Sequence, residues 1–237
     1  MRQSATLPLP YEVWPPGTLL GRLSPAVRDE LLDIGVRRRV EVATVILREG
    51  ENGSHVVLLH DTFAKVTAQM SDGRQALLAV RVSGDLVGET SALNHTPRSA
   101  SVVACRAGVV IIVTESAFRS FLRRRPDAAL EVAGIVADRL RWSNRRRVDF
   151  ASYPVKVRLA RVLAEMADSY GERTESGLRI GVKFSQSELA TLCGAADVTL
   201  RKAMGELRGA HVVRIDNRYI TVCDPDGLHR IGQLHEF

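Results

Sequence analysis

The side chains able to do chemistry are few and widely spaced. Three cysteines, Cys105, Cys193 and Cys223, are odd in number and form no Cys-x-x-Cys pair. They fit reduced thiols in a cytoplasmic protein better than a disulfide framework. The six histidines form no close pair at ligand spacing, so neither a structural zinc nor an iron–sulfur site is expected, and no His is placed as an evident haem ligand. No nucleophile–base pair and no Walker loop stand out, which points away from an enzyme. Within residues 121–150 two runs of cations stand out, Arg123-Arg124-Arg125 and Arg145-Arg146-Arg147, and the polar pair Ser143-Asn144 precedes the second. Charge of this kind suits an anionic partner: nucleic acid, a nucleotide or a membrane surface.

The chain that positions these residues has 237 residues, 45% hydrophobic and 25% charged, with 33 basic and 27 acidic side chains and a net charge of +6. That is globular composition, long enough for one large or two modest domains. The excess charge is local. Residues 121–150 carry 8 basic and 4 acidic side chains, whereas residues 151–237 carry 12 and 11. No run approaches the roughly 20 apolar residues needed to span a bilayer, so no membrane partner is expected. Residues 1–17 are Pro-rich, lack a secretory pattern and are expected to be a flexible leader.

Ser24 and Pro25 open a short helical pattern as N-cap and first helical residue. Short β-branched runs at 40–47, 55–59, 64–69, 76–82 and 109–114 follow, separated by Gly/Asn/Asp/Ser turns. They predict an antiparallel barrel or roll, and periodicity alone allows a ligand-free β-sandwich equally well. A long helix is expected from about Asp127 to Phe150. Ala133, Val136, Leu140, Ser143 and Arg147 recur at heptad spacing, a face that could pack on an identical helix. Ser143 and Asn144 would be costly in such a seam unless something satisfies them. A further helix is predicted over 155–170 and a short strand over 177–182. Ser185 and Glu188 then fit a capping box. Gly194 supplies a turn, and an amphipathic helix carries Leu200, Met204 and Leu207. A hairpin over 212–222, turning at Asp216-Asn217, completes a winged helix-turn-helix.

The segment from Ser83 to Ser101 contains Gly88-Glu89 and Pro97-Arg98-Ser99-Ala100. It resembles the phosphate-binding cassette of the cyclic-nucleotide-binding β-roll. The whole chain, from about residue 18 to 228, resembles the CRP/FNR family of bacterial transcription regulators. The resemblance implies an α+β fold: an antiparallel β-roll (double-stranded β-helix) over 18–120, a dimerisation helix and hinge over 121–152, and a winged helix-turn-helix over 153–237. It implies that Arg98 and Ser99 hold a cyclic phosphate and that Gly88 and Glu89 hold the ribose, which accords with charge-assisted bonding to a fixed anion. An ungapped match from Ala137 to Ala160 places Ser143 and Asn144 where the family senses adenine. The implied effector is cAMP or another cyclic nucleotide, and the implied partners are double-stranded DNA, a second copy of the chain and RNA polymerase. Thr90 departs from an aliphatic position of the cassette, and Thr62 from a turn glycine.

At the DNA end the family opens its recognition helix with an Arg-Glu pair, where this chain has Asp197 and Val198. An acid there cannot pair with guanine's acceptors, whereas Val198 could meet a thymine methyl. Altered DNA-site specificity is therefore expected, with Val198, Thr199, Arg201 and Lys202 as readers and Ser185, Gln186, Ser187 and Arg218 as phosphate contacts. The competing expectation is a nucleotide-binding module that signals through protein partners, its DNA-binding domain degenerate or effector-independent.

Overall fold

A computed structural model describes residues 14–234. The leader expected over 1–17 lies outside the described residues up to position 13. From Trp14 onward the chain is held. The Trp14 indole is 8% exposed, donates to the His60 carbonyl at 3.3 Å and meets the His60 ring edge-on at 5.5 Å. Helix α1 (Leu19–Arg22) is capped by the Thr18 hydroxyl, and α2 (Pro25–Asp33) begins with Pro25 at its first position after Ser24.

Two four-stranded antiparallel sheets form the N-terminal domain. One runs β1 (Val36–Val40), β8 (Gly108–Val113), β3 (Val56–Leu59), β6 (Leu86–Val87). The other runs β2 (Val45–Leu47), β7 (Ser101–Ala104), β4 (Ala64–Gln69), β5 (Gln75–Arg81). Val40, Val57, Leu59 and Val110 of the first sheet meet Leu47, Ala64, Val102 and Ala104 of the second in one buried cluster. The single strand expected over 40–47 is two strands. Thr44 donates its backbone N–H to Glu41, its hydroxyl accepts from Glu41, and Ala43 takes φ 66° between them. That turn moves the chain from one sheet to the other. Short helix α3 (Glu89–Asn94) bridges β6 and β7.

Helix α4 (Glu115–Arg124) runs through the boundary expected after residue 120, capped by Thr114. The long helix α5 (Pro126–Ser152) follows and exceeds the expected span at both ends. One stripe of α5, Ala128, Val132 and Ile135, is buried against the roll and α1 region. An adjoining stripe leaves Val136 and Leu140 exposed.

The C-terminal domain comprises α6 (Val155–Tyr170), β9 (Gly171–Thr174), β10 (Gly177–Ile180), α7 (Gln186–Leu192), α8 (Asp197–Gly209), β11 (Val213–Asp216), β12 (Tyr219–Val222) and α9 (Pro225–Ile231). Its sheet order is β11-β12-β10-β9. The strand expected over 177–182 stops at Ile180. The wing turns on Asn217-Arg218, one residue later than expected, with both residues at positive φ (46° and 67°) as a two-residue hairpin loop requires. The core of this domain is continuous with the roll: Phe63, Leu77, Val80 and Val82 share a cluster with Leu163, Phe184, Leu192 and Leu207.

Candidate functional site

The cassette residues converge where α5 crosses the open side of the β2-β7-β4-β5 sheet. A cavity of about 740 Å³ is lined by Gly88, Glu89, Arg98 and Ser99 from the cassette, by Val66 and Ala79 from the sheet, and by Val136, Leu140 and Ser143 from α5. This size suits a nucleotide-sized ligand, and the wall is apolar with a few polar groups, as small-molecule sites commonly are. Gly88 precedes α3 at φ 83°, and a Cβ there would meet the Arg98 guanidinium at 2.6 Å and the His55 carbonyl at 3.1 Å. Only glycine fits both the backbone conformation and the close approach.

Arg98 is 5% exposed and donates to the Gly88 carbonyl at 2.9 Å and the His55 carbonyl at 2.6 Å. Those bonds aim the guanidinium and leave further N–H groups free. Burial lowers its pKa from the ordinary value, with Glu89 and Glu51 opposing. Ser99 beside it is exposed on the cavity wall, as is Thr90, whose hydroxyl lies 3.5 Å from Glu89 Oε1. Thr62, the other departure, is buried and satisfied: its hydroxyl donates to the Arg106 carbonyl at 2.8 Å.

Glu89 is engaged already. Arg139 of α5 reaches into the roll, pairs with Glu89 Oε1 at 2.8 Å, donates to the Leu86 carbonyl at 2.7 Å and lies 3.4 Å from Asp85 Oδ1. Sequence reasoning missed Arg139, although a signal was present. Ala128, Val132, Ile135, Arg139, Trp142, Arg146 and Asp149 recur every three or four residues on the inward stripe, and a cation placed there must be paired. Arg146, 6% exposed, pairs with Glu165 at 2.8 Å, and Asp149 pairs with Arg161 at 3.0 Å. The second Arg triplet is thus split. Arg146 ties α5 to α6, while Arg145 and Arg147 are exposed. The first is spent in part on Glu30, which pairs with Arg124 at 3.0 Å and Arg125 at 2.7 Å. The two guanidinium groups hold the Glu30 carboxyl below the usual range.

Asn144 does not join the cradle. Neighbours on a helix point about 100° apart, so Ser143 lines the cassette cavity whereas Asn144 lines a separate groove with Arg141 and Tyr153.

At the far end, α7 is capped as expected: Ser185 Oγ accepts from Glu188 N at 3.1 Å and Glu188 Oε2 accepts from Ser185 N at 2.7 Å. Gly194 makes the turn at φ 60°, beside the Phe150 ring. Asp197, Val198, Thr199, Arg201 and Lys202 form an exposed face at the start of α8, with Val198 75% exposed. Gln186 is exposed on the adjoining helix and accepts from Arg201 Nε at 3.2 Å, with Ser187 next to it partly exposed. Arg218 is exposed at the wing tip.

A β-roll joined by a long helix to a winged helix-turn-helix defines a DNA-binding regulator with a second, ligand-binding type of domain. Residues 37–125 match the cyclic nucleotide-binding domain and residues 157–231 the Crp-like helix-turn-helix domain. The chain belongs to the CRP/FNR family of transcription regulators, and its domains are those of regulators, not enzymes. It is 26% identical, over 78% of this chain and 83% of the relative, to a CRP-like cAMP-activated global transcriptional regulator of Mycobacterium tuberculosis. It is 25% identical, over 79% of each, to an anaerobic regulatory protein of Bacillus subtilis. The structure of FixK2 from Bradyrhizobium japonicum superposes with a TM-score of 0.72 at 18% identity, covering 86% of this chain and all of the other (100%). Among the described residues no helix is long and apolar enough to cross a membrane.

Proposed function

We propose that this regulator acts in the cytoplasm as a homodimer whose DNA binding is switched by a cyclic nucleotide, with cAMP the first candidate. The observation that carries the reading is the single cavity shared by Gly88, Glu89, Arg98 and Ser99 with Ser143 of α5. Arg98 and Ser99 would take the phosphate. Glu89 would accept from the ribose hydroxyl while held by Arg139. Ser143 would meet the base edge. Asn144, turned away in one chain, would serve only from across a dimer seam. The exposed Val136 and Leu140 supply apolar surface for that seam. Such a ligand touches roll and α5 together, so a small difference in its affinity for two dimer arrangements is enough to shift them.

For the DNA end we infer an altered site, read by Val198, Thr199, Arg201 and Lys202, with Ser185, Gln186, Ser187 and Arg218 on phosphates and RNA polymerase as the onward partner. Because Ser185 Oγ already accepts within its own cap, its remaining role is to donate. The test is a thermal-shift series with cAMP, cGMP and cyclic dinucleotides on the parent and on Arg98→Ala, beside selection of binding sites from random duplexes. A stabilising shift of the parent by cAMP that Arg98→Ala abolishes supports the effector assignment. No shift at millimolar nucleotide overturns it. Recovery of the site typical of the family's Arg-Glu readers overturns altered specificity. Absence of any salt-dependent duplex binding favours the reading in which the chain signals through protein partners.

A further inference from the structure

A second cavity, of about 450 Å³, lies where the roll, α5 and α6 meet, on the other side of a wall that includes Arg81, Arg139 and Trp142 from the cassette cavity. Arg81 comes from the end of β5 and Tyr170 from the end of α6, with Ile135 and Met166 supplying apolar surface. Its lining carries four acids, Asp85, Asp138, Glu165 and Asp168, and four cations, Arg22, Arg81, Arg139 and Arg145. Every acid on the lining is taken. Asp85 accepts from Val82 N at 2.9 Å and faces Arg139. Asp138 pairs with Arg22 at 2.6 Å, Glu165 with Arg146 at 2.8 Å, and Asp168 meets His229 at 2.9 Å. Two cations remain over. Arg81 donates only to its neighbour's carbonyl, Val80 O, at 3.3 Å. Arg145, exposed at the mouth, has no ion-pair partner among the described residues. The Tyr170 hydroxyl is buried with no hydrogen-bond partner.

A guanidinium with a single long hydrogen bond and an orphaned phenol facing one cavity are costly unless a ligand completes them. Burial is the first cause that pulls the Arg81 pKa down to about 10 and the neighbouring Arg139 the second, with Asp85, Glu89 and Tyr170 opposing; it stays charged at neutral pH. Burial likewise pushes the Tyr170 phenol far up, so the hydroxyl is a standing donor. What is missing is an acceptor with negative charge.

We propose that this junction cavity is a second binding site, for a small organic anion with an apolar body and one carboxylate or phosphate head, held by Arg81 and the Tyr170 hydroxyl. The walls come from both domains and from the helix between them, so an occupant ties α6 to β5 and α5. It thereby biases how the DNA-binding domain sits on the roll. The site does not depend on the cradle being a nucleotide site.

Calorimetric titration of the full-length protein with phenyl phosphate, benzoate and neutral benzyl alcohol tests this. At least one of the two anions is expected to bind saturably and about tenfold or more tighter than the alcohol, and the tighter anion identifies the head group. Arg81→Gln is expected to weaken that anion about tenfold to a hundredfold, and Tyr170→Phe about twofold to tenfold. Ser99→Ala, on the cradle wall, is expected to leave binding unchanged. Equal binding of anions and alcohol, indifference to Arg81→Gln, or loss in Ser99→Ala overturns the proposal. Denaturation of the unliganded variants guards against a structural explanation: Arg81→Gln is expected to be about as stable as the parent, because it removes a partly buried cation that forms no close ion pair among the described residues. A marked loss of stability makes Arg81 a structural residue and overturns the assignment.

Discussion

Gly88 is the residue on which the cradle geometry turns. Its positive φ and the 2.6 Å approach of Arg98 to the position of a Cβ leave no room for a side chain. Gly88→Ala is expected to cost about 1–2 kcal/mol from the left-handed backbone alone, and more because Arg98 must leave the His55 and Gly88 carbonyls. Urea denaturation measures the loss, and parent-like stability would refute this account. His60 is a different kind of residue-scale commitment. It is fully buried, and neither ring nitrogen has a hydrogen-bond partner. Burial, and then the Arg37 charge, lower its pKa against a smaller opposing effect from Asp61; half-buried His55 is lowered too, first by burial and then by Arg98. A histidine whose folded pKa lies below its unfolded value of about 6.5 is protonated first in the unfolded chain, so stability falls as pH drops through about 6.5 and levels off below the folded value. Denaturation midpoints between about pH 8 and pH 5 should show this slope. His60→Phe should flatten it, and a parent whose stability is flat across that range contradicts the reading.

At the scale of elements, the wing shows sequence and backbone pulling apart. A two-residue hairpin loop with both φ values positive prefers Asn-Gly, and this chain supplies Asn217-Arg218. Arg218→Gly is therefore expected to raise stability by up to about 1 kcal/mol while weakening duplex binding, with a reduced salt slope. Thermal melts and salt-dependent binding separate the two effects; a variant that binds DNA as the parent does removes Arg218 from the phosphate contacts. The same locality explains what the sequence made legible. The capping box of α7, the Gly194 turn and the α6 span are set by residues within a few positions of each other, so their pattern is visible along the chain. Strands β6 and β7 are only 2 and 4 residues long and owe their pairing to partners distant in sequence, so no local period announces them. The inward stripe of α5 escaped notice because Arg139, Arg146 and Asp149 occupy it. Their burial makes sense only once Glu89, Glu165 and Arg161 are placed opposite. Asn144 parts from Ser143 for a geometric reason: adjacency in sequence does not put two side chains on one side of a helix, so within one chain only Ser143 lines the cradle cavity.

At the scale of the molecule, the DNA-binding domain is docked on the roll through specific polar contacts as well as the shared apolar core. Lys65 Nζ pairs with Glu188 at 2.6 Å and donates to the Lys183 carbonyl at 2.7 Å. The β4–β5 pairing shifts register opposite Thr67, and there the Leu77 N–H donates to Thr191 Oγ1 at 3.0 Å instead of remaining within its own sheet. Glu188 caps α7 with one carboxylate oxygen and grips the roll with the other, so the start of the helix-turn-helix is defined partly by the other domain. Reorienting α8 relative to the roll must break these bonds or carry the β4–β5 hairpin along. Lys65→Met combined with Thr191→Val removes both contacts and leaves the Ser185–Glu188 cap intact. The pair is expected to cost about 2–4 kcal/mol, summing a charged and a neutral bond between partly buried groups. Hydrogen exchange provides the sharper measurement. The Leu77 amide and the α7 amides should lose protection together, while β3 and β8 keep theirs, because only the docking has been loosened. If Leu77 stays protected in the double variant, the domains are held by the Phe63–Leu77–Leu192 core alone, and the proposed effector would have to act by bending α5, not by releasing this latch.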